Sequence, residues 1–600
     1  MLDPEKNRLD YGEQLAPPEG YTLDYAVGTT YSLDLEALLV IPLALFYAKT
    51  LDYKPSEINI LDAIAKASEK VTVFCQKGKI KAPDKYHSLM ACWERAIVEM
   101  QMPFFAASFH PKIWVSRFIT KGGPSVYRLL VTSRNMTYAR NWDIGFSVEG
   151  NVTGDEQNRN QPLIDFISDL FNKTDRKLPE AFLKDLSRVK FSKLDGFEPA
   201  SFYPIGIPAS YKNPLAKRKW EELLVISPFI DASTITELSS KTNNIHIFSR
   251  KESIDALDEA TITDIGEDHF YKFSNLYSRA EFMQESEDGT DPLPQDLHAK
   301  IFIGKNGETY SWLLGSANAT SPAFGRNVEF MAELKTGDKW YSPKKTKRVL
   351  IEAEDPRPAL FEQYKLKERT SLPGDKDYAQ VLRKLIYDIC QIPLKGQIAQ
   401  RANTQTVIYD LTISADTSKL EIPKGFAVRI KPLPEQAKSA VLLKPGQLNT
   451  ITDFSGYSEQ NLSPLLLVEV DWEKESKKFV LKMDITLPES RLDKVFSSII
   501  DSNEKFLKYL SFVLSGVETD LLARESGRKG GGGAGAGEVP GSNMPVFENL
   551  LAAASRNPEK LKTIDAMIMR LGKEAGGQSP AITPDFLKLW EVFRGYINRH

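Results

Sequence analysis

One pattern occurs twice in this chain and restricts its fold more than any other feature. "FHPKIWVSRF" at 109–118 and "LHAKIFIG" at 297–304 each place a histidine and a lysine one residue apart, ahead of an apolar run of β-formers. Alternate side chains of a strand share a face, so each His–Lys pair points one way. A second apolar stretch follows each copy and ends polar: "LLVTSRNMTYARNWD" (129–143) and "WLLGSANATSPAFGRNVE" (312–329). S-x-N-x-T recurs as Ser133, Asn135, Thr137 and Ser316, Asn318, Thr320. R-N-x-acid recurs as Arg140, Asn141, Asp143 and Arg326, Asn327, Glu329. A lone H-x-K has little specificity, because any surface strand can carry one. The same motifs twice, in one order and one strand context, predict two related αβ halves meeting at a seam.

The chain of 600 residues exceeds one ordinary core. Composition shifts divide it into an N-terminal extension (1–30), a first lobe (31–215), a second lobe (216–350), a β-rich and helical accessory domain (375–524), a Gly-rich linker (525–544) and a helical tail (545–600). In the first lobe, 58–80 reads as a helix and then a strand, 87–101 as a helix, and 104–120 and 126–133 as strands around the turn "TKGGPS". In the second, strands are expected at "WEELLVISPFI" and "NNIHIFS", and a polar acidic loop over 265–296. "GRKGGGGAGAGEVPGSN" lacks the G-K-[ST] ending of a phosphate-binding loop and reads as a flexible linker.

Three cysteines (Cys75, Cys92, Cys390) lie far apart and form no ligand cluster, which fits free thiols and a cytoplasmic location. With six scattered histidines, no metal site is expected. The net charge of −3 does not announce nucleic acid, though basic residues gathered in space would escape a linear reading. No apolar run is long enough to span a bilayer, so no membrane association is expected.

The repeated residue types suit phosphoryl chemistry. Lysines place positive charge on a phosphate, and asparagine and serine donate to its oxygens, stabilising charge that builds up during transfer. One imidazole can attack phosphorus while the other protonates the leaving oxygen and then activates water. Histidine suits both roles because it titrates near neutrality. No cofactor is called for.

This arrangement resembles the phospholipase D superfamily, whose signature is H-x-K-x4-D followed by G-S-x-N. "HAK…GSAN" at 298–318 matches it, Gly315 included. Arg117 and Lys305 stand where the signature has its aspartate. That departure is similar to the tyrosyl-DNA phosphodiesterase branch, with its H-x-K…N motifs. The resemblance covers roughly 30–345. It implies an α/β fold of two pseudo-symmetric lobes with mixed sheets flanked by helices. It also implies catalytic roles for His110, Lys112, Asn135, His298, Lys300 and Asn318, with His110 as the nucleophile that becomes a phosphohistidine. Either half of such a site can supply the nucleophile, and the symmetry of the motifs leaves that order open.

Ser133 and Ser316 read as phosphate donors or as caps of the following turns. Asp143 and Glu329 read equally as carboxylates that orient the imidazoles or as partners of Arg140 and Arg326. His87, His246 and His269 read as packing or surface residues, and "KKTKR" (344–348) as a solvated run.

The reading this supports is a metal-independent phosphodiesterase (a hydrolase) acting on nucleic acid, as a nuclease or DNA-end processing enzyme. DNA is favoured over RNA, and the typical company of the superfamily it resembles suggests a bacterial defence or repair setting. Two alternatives stand beside it. One is a binding or partner-activated subunit whose β-rich domain and tail recruit proteins; the other is a phospholipase or phosphatidyl transferase.

Overall fold

The computed structural model describes residues 9, 11–47, 63–64, 67–139, 141–208, 211, 213–274, 296–353, 359–370, 376–401, 407–434, 439–473, 475–515, 550, 558–574 and 581–597. The expected linker (525–544), most of the acidic loop and Arg140 lie outside the described residues.

The first lobe is built on seven strands: β1 (Thr22–Thr30), β2 (Val71–Gln76), β3 (Ile97–Met100), β4 (Ile113–Ile119), β5 (Val126–Thr132), β6 (Gly145–Val152) and β7 (Val189–Phe191). They lie in the order β7-β6-β5-β4-β1-β2-β3. The second lobe has eight: β8 (Ser201–Ile205), β9 (Glu222–Ile226), β10 (Ile245–Ser249), β11 (Phe270–Phe273), β12 (Ile301–Asn306), β13 (Thr309–Gly315), β14 (Glu329–Thr336) and β15 (Phe361–Gln363). Their order is β8-β14-β13-β12-β9-β10-β11-β15.

Six strands correspond. In each lobe three parallel strands (β1-β2-β3; β9-β10-β11) continue into an antiparallel meander (β4-β5-β6; β12-β13-β14). The expected pair of pseudo-symmetric mixed α/β lobes is therefore the observed fold.

The central strands are apolar on both faces because both faces are covered, and side chains alternate between the two sides. Val27, Val115, Leu129 and Val131 of the first sheet share one core with Leu224, Ile226, Ile303 and Leu314 of the second. Their neighbours Ala26, Val73, Trp114 and Leu130 face away, under helices. Leu223, Val225, Ile247 and Phe302 do the same in the second lobe. The facing sides of the two sheets thus share one core, into which the helices Gln161–Phe171 and Glu180–Leu186 also bury Leu163, Phe166, Phe182 and Leu186.

Several expectations need correction. The N-terminal extension is not separate from the lobe, since Thr22–Thr30 is a central strand of the first sheet. The boundary at 215/216 falls too late, because Ser201–Ile205 pairs antiparallel with Glu329–Thr336. Within 87–101 only Met90–Trp93 is helical, and Ile97–Met100 is a strand parallel to Val73–Gln76 with Ile97 and Met100 buried. Tertiary pairing overrides a weak local preference there. Phe270–Phe273, expected as loop, joins the second sheet for the same reason.

The accessory region is not a bead on a string. Its main sheet takes in Leu33–Asp34 and Ile80–Lys81 of the first lobe. The helices Arg491–Ile499, Asn503–Ser515, Pro558–Glu574 and Pro584–Ile597 bury Val495, Phe506, Ile564 and Trp590 in one cluster with Leu35 and Leu38 of the helix Leu35–Tyr47. Arg491 donates to Glu94 at 2.6 Å across this contact, both side chains almost fully buried.

Candidate active site

The repeated motifs converge at the seam. His110 and Lys112 lead into β4, and His298 and Lys300 lead into β12. Both approaches are tied to the opposite lobe by reciprocal backbone pairing. Phe109 bridges Val328, and the His110 N–H donates to the Val328 carbonyl at 2.8 Å. Leu297 pairs with Trp142, and the His298 N–H donates to the Trp142 carbonyl at 3.0 Å. The self-complementary pattern is that of a twofold interface formed within one chain.

The carboxylates cross this seam. The His110 ring donates from Nδ1 to Glu329 Oε2 at 3.0 Å, and the Ser316 carbonyl lies at 3.0 Å from the same nitrogen. His298 donates from Nδ1 to Asp143 Oδ1 at 2.8 Å. Acceptors at Nδ1 fix the proton there in both rings, so in each neutral imidazole Nε2 carries the lone pair. Neither Nε2 has a hydrogen-bond partner among the described residues.

Each carboxylate is held in turn by the serine of its own lobe. Ser133 Oγ donates to Asp143 Oδ1 at 2.7 Å and accepts the Ile144 N–H at 2.9 Å. Ser316 Oγ donates to Glu329 and accepts the Phe330 N–H at 3.0 Å. Of the readings open in sequence, Asp143 and Glu329 orient imidazoles, each that of the other lobe. Ser133 and Ser316 hold the carboxylates.

Lys112 and Lys300 are almost wholly buried. Each ammonium donates to the carbonyl of its own histidine, at 2.7 Å and 2.5 Å. Burial holds Lys112 well below the usual lysine range, with Lys300 adding repulsion. Burial brings Lys300 down to about 7, against the opposing pull of Asp143 and Glu329. His298 is pushed down to about 3, first by burial and then by Lys300. His110 is lowered for the same leading reason, partly offset by Glu329. Asp143 sits below the usual carboxylate range because His298 and Ser133 donate to it, outweighing burial. Asn135 Oδ1, Asn318 Oδ1 and Asp143 Oδ2 are buried without a hydrogen-bond partner. The crowded buried lysines favour an anion beside them, whereas the three unpaired oxygens are acceptors and call for donors.

The structure brings His110, Lys112, Ser133, Asp143, His298, Lys300, Ser316 and Glu329 together at this seam, with Asn135 and Asn318 two residues beyond the serines. Sequence reading missed a further repeated element. "TYSLD" (30–34) and "SPFID" (227–231) follow equivalent strands β1 and β9. Thr30 Oγ1 accepts the Met136 N–H at 3.0 Å and donates to the Ser32 carbonyl at 2.8 Å. Ser227 Oγ accepts the Ala319 N–H at 3.0 Å and donates to the Phe229 carbonyl at 2.6 Å. Met136 and Ala319 each follow the asparagine, so these hydroxyls brace the two Asn-bearing turns. Aligning the halves outward from H-x-K would have exposed the element, a short hydroxyl-x-x-apolar-Asp match. Among the described residues, no group of His, Cys, Asp and Glu could hold a metal ion, and no helix is long and apolar enough to cross a membrane.

No protein-family model matches the chain, and no curated protein matches it. Among solved structures it is similar to a mutant yeast tyrosyl-DNA phosphodiesterase, at 14% identity over 60% of this chain and 94% of that one, with a TM-score of 0.37. It is also similar to polyphosphate kinase from Porphyromonas gingivalis, at 14% identity over 57% of this chain and 44% of that one, with a TM-score of 0.29.

Proposed function

We propose that this chain is a phosphodiesterase of the phospholipase D type, acting on nucleic acid without a metal in any step. The observation that carries this reading is the crossed pair of Nδ1-anchored imidazoles, each with its Nε2 unengaged, beside two buried lysines. A phosphodiester anion between Lys112 and Lys300 answers the charge of the two buried lysines. The amides of Asn135 and Asn318, turned about their terminal bonds, present Nδ2 to its non-bridging oxygens.

His110 Nε2 attacks phosphorus, and the bond from phosphorus to the leaving oxygen breaks. His298, protonated at Nε2, gives that proton to the leaving oxygen. In the second half, His298 Nε2 takes a proton from water, the hydroxide attacks phosphorus, and the bond to His110 breaks. The chain ends as it began, with one diester hydrolysed. His110 is favoured as nucleophile because two acceptors, Glu329 and the Ser316 carbonyl, hold its Nδ1 proton and stabilise the positive charge it gains. His298 is neutral in the empty site, so the bound anion must draw a proton onto it before it can act as acid.

The polar, cationic character of the site and the Tyr31 and Phe229 rings near it favour nucleic acid over lipid. The test is cleavage in EDTA of end-labelled DNA and RNA, single- and double-stranded, of a 3′-phosphotyrosyl oligonucleotide, and of bis(p-nitrophenyl) phosphate. Cleavage lost in both His110→Ala and His298→Ala is the expected result. Cleavage of phospholipid vesicles and of no oligonucleotide would replace the nucleic-acid reading with the lipid one. Silence on every substrate points to the partner-activated reading, for which the docked helices and accessory sheets supply surface.

A further inference from the structure

The two loops that brace the asparagine turns each carry an aromatic ring to the edge of the site. In the first lobe the ring is Tyr31. Its centroid lies 5.1 Å from that of His110, with Lys112 Nζ at 5.8 Å and Lys79 Nζ at 5.4 Å. In the second lobe it is Phe229, with 48% of its surface exposed. The Arg250 guanidinium stacks on Phe229 at 4.7 Å and donates to the Leu297 carbonyl at 2.7 Å, one residue before His298.

The lobes differ in kind at this point. Gln76 occupies the position equivalent to Arg250 and accepts the Phe109 N–H at 2.7 Å, one residue before His110. Both side chains therefore hold the strand that leads into a histidine, but only Arg250 adds a cation and a planar face. An exposed phenylalanine with one face on a guanidinium still offers its other face. Tyr31, with two ammonium groups and an imidazole about it, sets a ring beside His110 and Lys112, where the proposed phosphate would sit. Aromatic faces next to cations that track a phosphate chain are the physical basis of single-strand binding, since every base has a π-face.

We propose that Phe229 with Arg250, and Tyr31 with Lys79, form two nucleotide subsites on either side of the scissile phosphate, where bases of a single strand stack. This rests on the nucleic-acid reading above. The geometry assigns one ring to each lobe, so the strand crosses the seam with the scissile phosphate between the histidines. The additional cation makes the Phe229 side the stronger subsite.

The experiment compares binding of a fluorescent single-stranded oligonucleotide with that of an abasic strand of the same length and charge. The full chain carries His110→Ala throughout to prevent turnover. Phe229→Ala, Tyr31→Ala and Phe229→Tyr are made in that background, and thermal melting shows that each is folded. The base-bearing strand is expected to bind about tenfold or more tightly than the abasic one. Phe229→Ala should remove most of that gap, Tyr31→Ala part of it, and Phe229→Tyr should keep it. Equal binding of both strands by the parent, or a gap that survives both alanine variants, overturns the subsites while leaving nucleic acid as ligand. Binding of neither strand overturns the subsites and the nucleic-acid reading together.

Discussion

The His110 imidazole donates its Nδ1 proton to the Glu329 carboxylate at 3.0 Å, across 219 positions of sequence and from one lobe to the other. His298 does the same with Asp143 at 2.8 Å, in the opposite sense. Neither half of the chain can therefore assemble a complete imidazole–carboxylate pair alone. Separate expression of the lobes should give no activity, and a double-mutant cycle should couple His110 to Glu329 more strongly than to Asp143.

Removing the orienting carboxylate tests its role directly. Glu329→Gln should lower kcat on the order of 10²–10⁴-fold with a smaller change in KM, because the imidazolium formed during attack loses its counter-charge. Glu329→Asp should recover part of the loss. A purely structural role would give a loss of folded protein, read by melting, without the kcat-specific effect.

The buried lysines make ligand affinity depend on pH. Burial pushes Lys300 down to about 7, and an anion stabilises its charged form. Binding of diethyl phosphate, which stays monoanionic, should weaken as pH rises above about 7, by up to ~10-fold per unit for each proton taken up. Calorimetry in two buffers of different ionisation enthalpy should show proton uptake above pH 7. Binding that is flat to pH 9 would contradict a depressed Lys300.

The same lysine should leave its mark on stability. Its folded value of about 7 lies below the ~10.4 of an unfolded lysine, so between these values the unfolded chain binds more protons. Stability of the unliganded protein should therefore rise with pH across that window. The cost of a buried charge is fully present below pH 7. Lys300→Met should reduce the rise, leaving the part that the buried Lys112 contributes, measured as urea midpoints at pH 7 and pH 9.

Thr30 and Ser227 brace the turns that carry the asparagines. Thr30→Val and Ser227→Ala each leave a buried N–H, of Met136 or Ala319, without its acceptor. Each should cost about 1–3 kcal/mol of stability. Each should also reduce kcat, because the asparagine it positions loses its fixed direction. Thr30→Ser should restore both readings.

The accessory region is joined to the first lobe by a buried ion pair. Arg491→Met leaves Glu94 without its guanidinium, with Ser463 still donating to it. The expected loss is about 3–5 kcal/mol, seen as a lower melting temperature. The double variant Arg491→Met with Glu94→Leu should recover much of it.

The residues of the candidate site were legible in the linear chain because their pattern is local. His and Lys one residue apart share a strand face wherever the strand lies, and the second copy turned a weak pattern into a strong one. The His–Lys pairs needed no more than period-two geometry, and the serines and asparagines no more than the repeat of S-x-N. The crossing of the carboxylates was not legible. Asp143 and Glu329 sit in their own lobes' motifs, and only the reciprocal pairing of Phe109 with Val328 and Leu297 with Trp142 hands each to the other histidine. The place of Thr22–Thr30 inside the first sheet, and of the C-terminal helices against Leu35 and Leu38, was equally silent. An apolar strand or helix face records that it must be covered, but not by what. That choice belongs to long-range packing, where the free energy of burial depends on the partner surface that the whole fold brings to it.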